Sequence, residues 1–382
     1  MRSPLVTILL VAVGLSLLAG SALAQSDGLS APPSPSFAPA ASPAPAASPE
    51  PAASPALAFR QPQWRQLVTM RGPAAREDHT WTVDGQGRYA YLFGGRDGDT
   101  EFGDVWRYDL RGDSWKRLSP RGRAPAPRFG HSAVWVEGRG VVVFAGQRGT
   151  DFFADLWAYD PRSDRWKELP GRGAAPKPRY GSCMVAGPDG RLWVSHGFTL
   201  AGRFDDTRAY NLATERWASI APDGRRPGER CLHDCFTSKA GELVLYGGQD
   251  DGAFALGDLW LMGRELTWSR LPDPEAEPRR LYALTEAGTA VYVFGGAGET
   301  VRAFDDLWRI DRDTLEFERM EVEGTSPPAR YASTLITDVE GGRLLLFGGQ
   351  GRVAGSDVWE LVDAVPATEQ PPALEPAASA AP

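Results

Sequence analysis

Tyr91-Leu92-Phe93-Gly94-Gly95 is an apolar run closed by a glycine pair, and the chain repeats it. Val142-Val143-Phe144-Ala145-Gly146, Trp193-Val194-Ser195-His196-Gly197, Val244-Leu245-Tyr246-Gly247-Gly248, Tyr292-Val293-Phe294-Gly295-Gly296 and Leu345-Leu346-Phe347-Gly348-Gly349 follow, the last glycine advancing by 51, 51, 51, 48 and 53 residues. A second ladder is Trp64, Trp115, Trp166, Trp217, Trp268 and Phe317, mostly with Leu or Ile three residues on. A third is Asp-x-Trp at Asp104, Asp155, Asp258, Asp306 and Asp357, with Arg208 in place of Trp after Asp206. A fourth sets Arg76, Arg128, Arg179, Arg230, Arg280 (or its neighbour Arg279) and Arg330 at the head of each unit. Six repeats of about fifty residues are the signature of a radial array of supersecondary units.

The runs before each glycine pair are apolar without alternation, as expected of a strand covered on both faces by neighbouring sheets. Asp84-Gly85, Asp189-Gly190, Gly138, Gly241, Gly288 and Gly341 mark a hairpin in each unit, where positive φ is needed. Gly95, Gly146, Gly197, Gly248, Gly296 and Gly349 never vary, whereas the position before them admits Ala145 and His196; the second place therefore demands glycine geometry and the first only prefers it. The outer-strand Trp is expected to cover that bare backbone. The last unit has no Trp-x-x-Leu of its own, while the array begins with an orphan Trp64-Arg65-Gln66-Leu67, so the N-terminal strand is expected to complete the sixth unit and remove an open edge.

The glycine pair, the Asp-x-Trp and the later Trp together resemble kelch repeats over roughly residues 64–362. The resemblance implies an all-β fold, a six-bladed kelch β-propeller of four antiparallel strands per blade with the first strand of each lining the channel. Departures sit mainly in the third blade, at His196 and Arg208, and Met262 stands at the position that Tyr108 and Tyr159 hold earlier.

The ends read differently. Arg2 and an uncharged stretch from Leu5 to Ala24, closing in Ala22-Leu23-Ala24, read as a cleavable signal peptide over residues 1–24, with an uncleaved N-terminal membrane anchor as the alternative. Residues 25–62 form a Pro/Ala/Ser-rich spacer and 364–382 a similar tail, both expected to be disordered, leaving 63–363 as the folded domain. The chain is expected to be exported, to periplasm or extracellular space, with no membrane span after cleavage, and to be monomeric. With 41 basic against 49 acidic side chains and no basic cluster, it is not a nucleic-acid binder.

Loops from the second glycine to the Asp number 8, 8, 8, 9, 9 and 7 residues, so no copy carries the insertion that a grafted active site usually needs. The face formed by these loops and by the segments leading into each Arg is the candidate ligand face. Its candidates are Arg76, Arg128, Arg179, Arg230, Arg280 and Arg330, together with Gln147, Gln249 and Gln350 after the glycine pairs. The Arg ladder has two readings, bidentate capture of an acidic ligand or pairing with the repeated Asp as blade architecture, and a motif in every copy favours the second. His79, His131 and His233 share one register, with Ser182 and Ser333 in two other copies; they are weak metal candidates at the channel mouth, and hydrogen bonding at a repeat position explains them as well. Phe102, Phe153, Phe204 and Phe304 read as blade packing. Cys231-x3-Cys235 with Cys183 in the preceding blade is a weak metal signal, short of a fourth ligand or a C-x2-C turn; buried thiols are the simplest reading, and a bridge from Cys183 to a Cys of the next blade is the alternative after export.

No catalytic residue, cofactor or phosphate loop is evident. The expectation is an exported binding module for a protein or glycan. The kelch resemblance also brings a sugar-modifying alternative, since an exported sialic-acid epimerase and galactose oxidase belong to that family; its site would be the channel mouth.

Overall fold

The structure is a computed structural model in which residues 61–220, 224–300, 302–351 and 354–365 are described. The expected leader, nearly all of the spacer and most of the tail lie outside them. Among the described residues there is no α-helix, and so none long and apolar enough to cross a membrane.

Six sheets of four antiparallel strands form the blades of a β-propeller. The first blade is Thr80–Val83, Tyr89–Phe93, Val105–Asp109 and Ser114–Leu118, from axis to rim. The third carries a further short parallel strand, Arg172–Gly173. The sixth consists of Thr334–Asp338, Arg343–Phe347 and Val358–Val362, and its rim strand is Gln63–Leu67, with Trp64 opposite Leu361. The second strands are buried almost throughout, which accounts for their unalternating apolar sequence.

The interior divides into six clusters, each lying between two adjacent blades. The rim Trp is the wedge at most seams, but it does not cover bare glycine backbone. It packs on the aromatic residue just before the glycine pair of the preceding blade: Trp115 on Phe347, Trp166 on Phe93, Trp217 on Phe144, Phe317 on Tyr246 and Trp64 on Phe294, with ring centroids 5.0–5.5 Å apart. A ring offers the wedge far more apolar area than backbone does. At the seam between the third and fourth blades that aromatic is replaced by Ser195, and there a Cys183–Cys235 disulfide joins the two inner strands. Buried thiols, the simplest sequence reading, therefore hold only for Cys231.

The glycine ladder divides as its sequence variation implied. The second glycines have φ between 90° and 113°, outside the region a side chain tolerates. The first positions lie near 56–69°, the left-handed helical region that Ala145 and His196 adopt at a cost. In two hairpins the positive φ falls on Gly87 and Gly342, not on Gly85 and Gly341. The folded part also extends slightly past 363: Ala364 and Val365 are buried, and the Tyr292 hydroxyl donates to the Ala364 carbonyl.

Candidate functional site: the channel mouth

Antiparallel alternation puts the post-glycine loops and the crossings into each Arg on one face, around the open end of the channel. The Arg at the head of each blade lies beneath that face. Arg128 donates through Nη1 and Nη2 to the two oxygens of Asp155 (2.6 and 3.0 Å), through Nη1 also to the Ala145 carbonyl, and through Nε to the Ala126 carbonyl. Its guanidinium stacks on Phe153, 4.2 Å from the ring centre. Arg76, Arg179, Arg230 and Arg330 repeat the fork on Asp104, Asp206, Asp258 and Asp357. The Asp-x-Trp motif belongs to the same device: the indole Nε1 of Trp106, Trp157, Trp260, Trp308 and Trp359 donates to the Asp two residues earlier. Arg208 does so through Nε in the third blade. Burial pushes these six Asp carboxyls up, but the guanidinium partner outweighs it and holds them below the usual range.

The six guanidiniums are thus occupied by blade architecture and do not face a ligand, which removes Arg76, Arg128, Arg179, Arg230 and Arg330 from the candidate binding set. In the fifth blade the fork belongs to Arg279, which pairs with Asp306, and not to Arg280, whose Nη1 reaches the Ala253 carbonyl on the post-glycine loop of the fourth blade.

Two residues after each Arg the chain makes a construction that the sequence did not reveal. Asp78, Gly130, Gly181, Leu232, Leu281 and Ala332 all have φ between 53° and 62°. Each donates its backbone N–H to the carbonyl of the equivalent residue in the preceding blade, at 2.7–3.1 Å, and Asp78 closes the circle on Ala332. A complete ring of six hydrogen bonds frames the mouth. Beneath it the channel encloses about 220 Å³.

Above the ring, residues one after each Arg are bridged to residues one after each glycine pair: Glu77 to Arg96, Phe129 to Gln147, Tyr180 to Phe198, Cys231 to Gln249, Arg280 to Ala297 and Tyr331 to Gln350. Gln147, Gln249 and Gln350 are therefore on the mouth face, half-buried; the first two donate their side-chain amides to Gly149 and Ala253 carbonyls of their own loops. A polar knot crosses the mouth: Tyr180 donates to Asp78 at 3.0 Å over Gly130, and Arg96 pairs with Glu77 at 2.9 Å and lies over Phe129. Burial, reinforced by the neighbouring Asp78 charge, pushes Glu77 up to about 6, and burial likewise raises Asp78. Sequence spacing could not expose a contact between residues 102 apart.

His79 and His131 lie at seams, their Cε1 atoms against the first glycines Gly348 and Gly94 of the preceding blades, and their Nε2 atoms bonded to Thr334 and Thr80. They do not converge with His233 on the axis, which removes the three-histidine metal site; Tyr282 holds the same position in the fifth blade, hidden from sequence by the Arg279 register. Burial drives all of these imidazoles down, His131 to about 3. Phe102, Phe153, Phe204 and Phe304 lie under the Arg heads as packing.

The family model described as the KLHDC2/KLHL20/DRC7 Kelch-repeats domain matches residues 56–248, across the glycine pairs, Arg heads and Asp-x-Trp motifs of the first blades. The chain belongs to the kelch-repeat family. This kelch propeller is similar to the leucine-zipper-like transcriptional regulator 1 homolog of Drosophila melanogaster, 26% identical over 311 residues, covering 75% of this chain and 31% of that protein. It is similar to kelch domain-containing protein 10 of Xenopus tropicalis, 26% identical over 73% of this chain and 72% of that one. It also resembles the Rab9 effector protein with kelch motifs of Rattus norvegicus, 27% identical over 51% of this chain and 55% of the relative. The kelch chain thus spans about a third of the first relative's length. Relatives of this kind fit a protein-binding scaffold.

Proposed function

We propose that this propeller is an exported scaffold that binds a protein ligand on the mouth face. One observation carries the reading: Val68, Met70, Leu200 and Phe254, the four exposed large hydrophobics among the described residues, all belong to loops of that face. Val68 and Met70 lie on the crossing from the sixth blade to Arg76, and Leu200 and Phe254 on the post-glycine loops of the third and fourth blades. Exposed apolar side chains gathered on one side of a molecule mark an interaction surface, and the half-buried Tyr331 and Arg96 of the same face are residue types that anchor protein interfaces. A protein ligand is favoured over a glycan because these apolar side chains project from loop tips and do not wall a polar cleft. The Cys183–Cys235 disulfide supports export to an oxidising compartment. A relative named as a Rab9 effector supports the scaffold role and says nothing of the partner here.

A photo-crosslinking amino acid placed at Phe254 or Leu200 is expected to trap a discrete protein partner in the producing cells, and one at Glu137 or Arg162, on hairpins of the opposite face, is not. Equal trapping from both faces would overturn the assignment.

A further inference from the structure

The seam between the third and fourth blades departs from its five counterparts in a way that packing does not explain. At the first two seams an imidazole Nε2 bonds a threonine of the preceding blade, His79 to Thr334 and His131 to Thr80. At the equivalent place in the fourth blade stands His233, and the threonine position of the preceding blade is Cys183. With Cys183 tied to Cys235, His233 Nε2 is buried without a hydrogen-bond partner. His233 immediately precedes the inner strand Asp234–Thr237, and Cys235 is that strand's second residue. The Sγ atoms of Cys183 and Cys235 and a ring nitrogen of His233 all lie within 4.8 Å of one another, and no other such set of His, Cys and carboxylate groups occurs among the described residues.

We propose that Cys183, Cys235 and His233 form a redox-gated site for a soft or borderline metal ion, Zn(II) or Cu(I), that opens when the disulfide is reduced. Two thiolates and one imidazole are the donor set these ions select, and tetrahedral coordination at about 2.3 Å requires sulfurs about 3.8 Å apart, so the two side chains must swing apart once the bond is broken, while the imidazole nitrogen already lies within 4.8 Å of both. In the disulfide form the sulfurs are bonded to each other and the site is closed. Opening takes two electrons and two protons from a dithiol donor, which becomes a disulfide; the two cysteine thiols so formed release their protons to solvent as the metal binds. His233 stays neutral, as a ligand must, and its otherwise unpartnered nitrogen gains a bond. Cys183 and His233 both line the channel, which supplies the path of entry. The site is independent of the mouth face and stands whether or not that face binds a protein.

The test uses the mature chain, reduced with a phosphine and titrated anaerobically with Co(II) alone. About one Co(II) per chain, with sulfur-to-cobalt charge-transfer absorption, is expected. The disulfide form should give none, and Cys183→Ser or His233→Gln should weaken binding at least tenfold. Because Cys183→Ser could disturb the seam, His233→Gln is the decisive variant; its disulfide form is expected to melt cooperatively like the parent. Reduced parent protein that shows no thiolate absorption would overturn the site, and absorption unchanged in His233→Gln would remove the imidazole from it.

Discussion

Six arginines with almost no exposed surface owe their burial to dense pairing: each fork meets a carboxylate, and two further N–H groups meet carbonyls, four of the five donors in all. Such a pair is weak evidence of net stability, but breaking it leaves a buried charge alone. Arg128→Ala should therefore cost about 3–5 kcal/mol in urea unfolding. Asp155→Asn, which keeps the shape but leaves the fully buried guanidinium without its counter-charge, should fall in the same range. The buried histidines set the pH dependence at this scale. His131 and His196 are driven to about 3 chiefly by burial, so they stay neutral in the fold while the unfolded chain takes up protons near 6.5. Their contribution is fully present above pH 6.5 and is lost as pH falls toward 3. His131→Gln should accordingly flatten the dependence of unfolding free energy on pH by about 1.4 kcal/mol per unit between pH 6 and 4. Asp234 works in the opposite sense. Burial lifts it to about 7, so its contribution is present below about pH 4 and is lost as pH rises through 7. Asp234→Asn should stabilise the protein at pH 8 relative to its effect at pH 4 by up to about 4 kcal/mol, measured on the same unfolding curves.

At the scale of the element, the blade was largely legible in the sequence because its signals are local. The glycine pair, the rim Trp and the Asp-x-Trp each recur within a span that one blade occupies. What escaped reading was whatever joins one blade to the next. Whether Arg279 or Arg280 heads the fifth unit depends on which of them faces Asp306, and two adjacent arginines look alike in a ladder whose spacing varies by a few residues. The wedge contacts of the rim Trp, the Tyr180–Asp78 bond and the ring at the mouth are likewise contacts between blades. The invariant second glycine is a local signal with a sharp consequence. A Cβ at Gly146 would come within 2.9–3.2 Å of His131 and the Phe129 carbonyl at a φ of 95°. Gly146→Ala should therefore cost at least about 2 kcal/mol, whereas Ala145→Gly, a change to the residue four other blades use there, should be neutral or stabilising.

For the whole molecule, the seam that matters most is the one that closes the sixth blade. There Gln63–Leu67 lies along Val358–Val362, Arg65 pairs with Glu360, and Arg343 reaches Glu360, Asp338 and Asp113, the last of these in the first blade. Loss of Gln63–Leu67 would expose a strand edge and unseat Trp64 from Phe294, so a chain beginning at Val68 should melt far below the parent, while one ending at Val365 should not. A chain beginning at Val68 that melts with the parent would refute this reading of the seam.

The hydrogen-bonded circle at the mouth has an electrostatic consequence. Its six peptide units point head to tail around the axis, so the tangential parts of their dipoles cancel whatever each one's strength. A helix terminus, by contrast, presents unsatisfied N–H groups with their dipoles aligned and attracts anions for that reason. Here the amides are engaged by one another, and the circle itself has no unsatisfied N–H to offer an anion. If a ligand binds the mouth, selection of its sign falls to side chains above the circle, Glu77 and Arg96 among them, which supply none of the ring's hydrogen bonds.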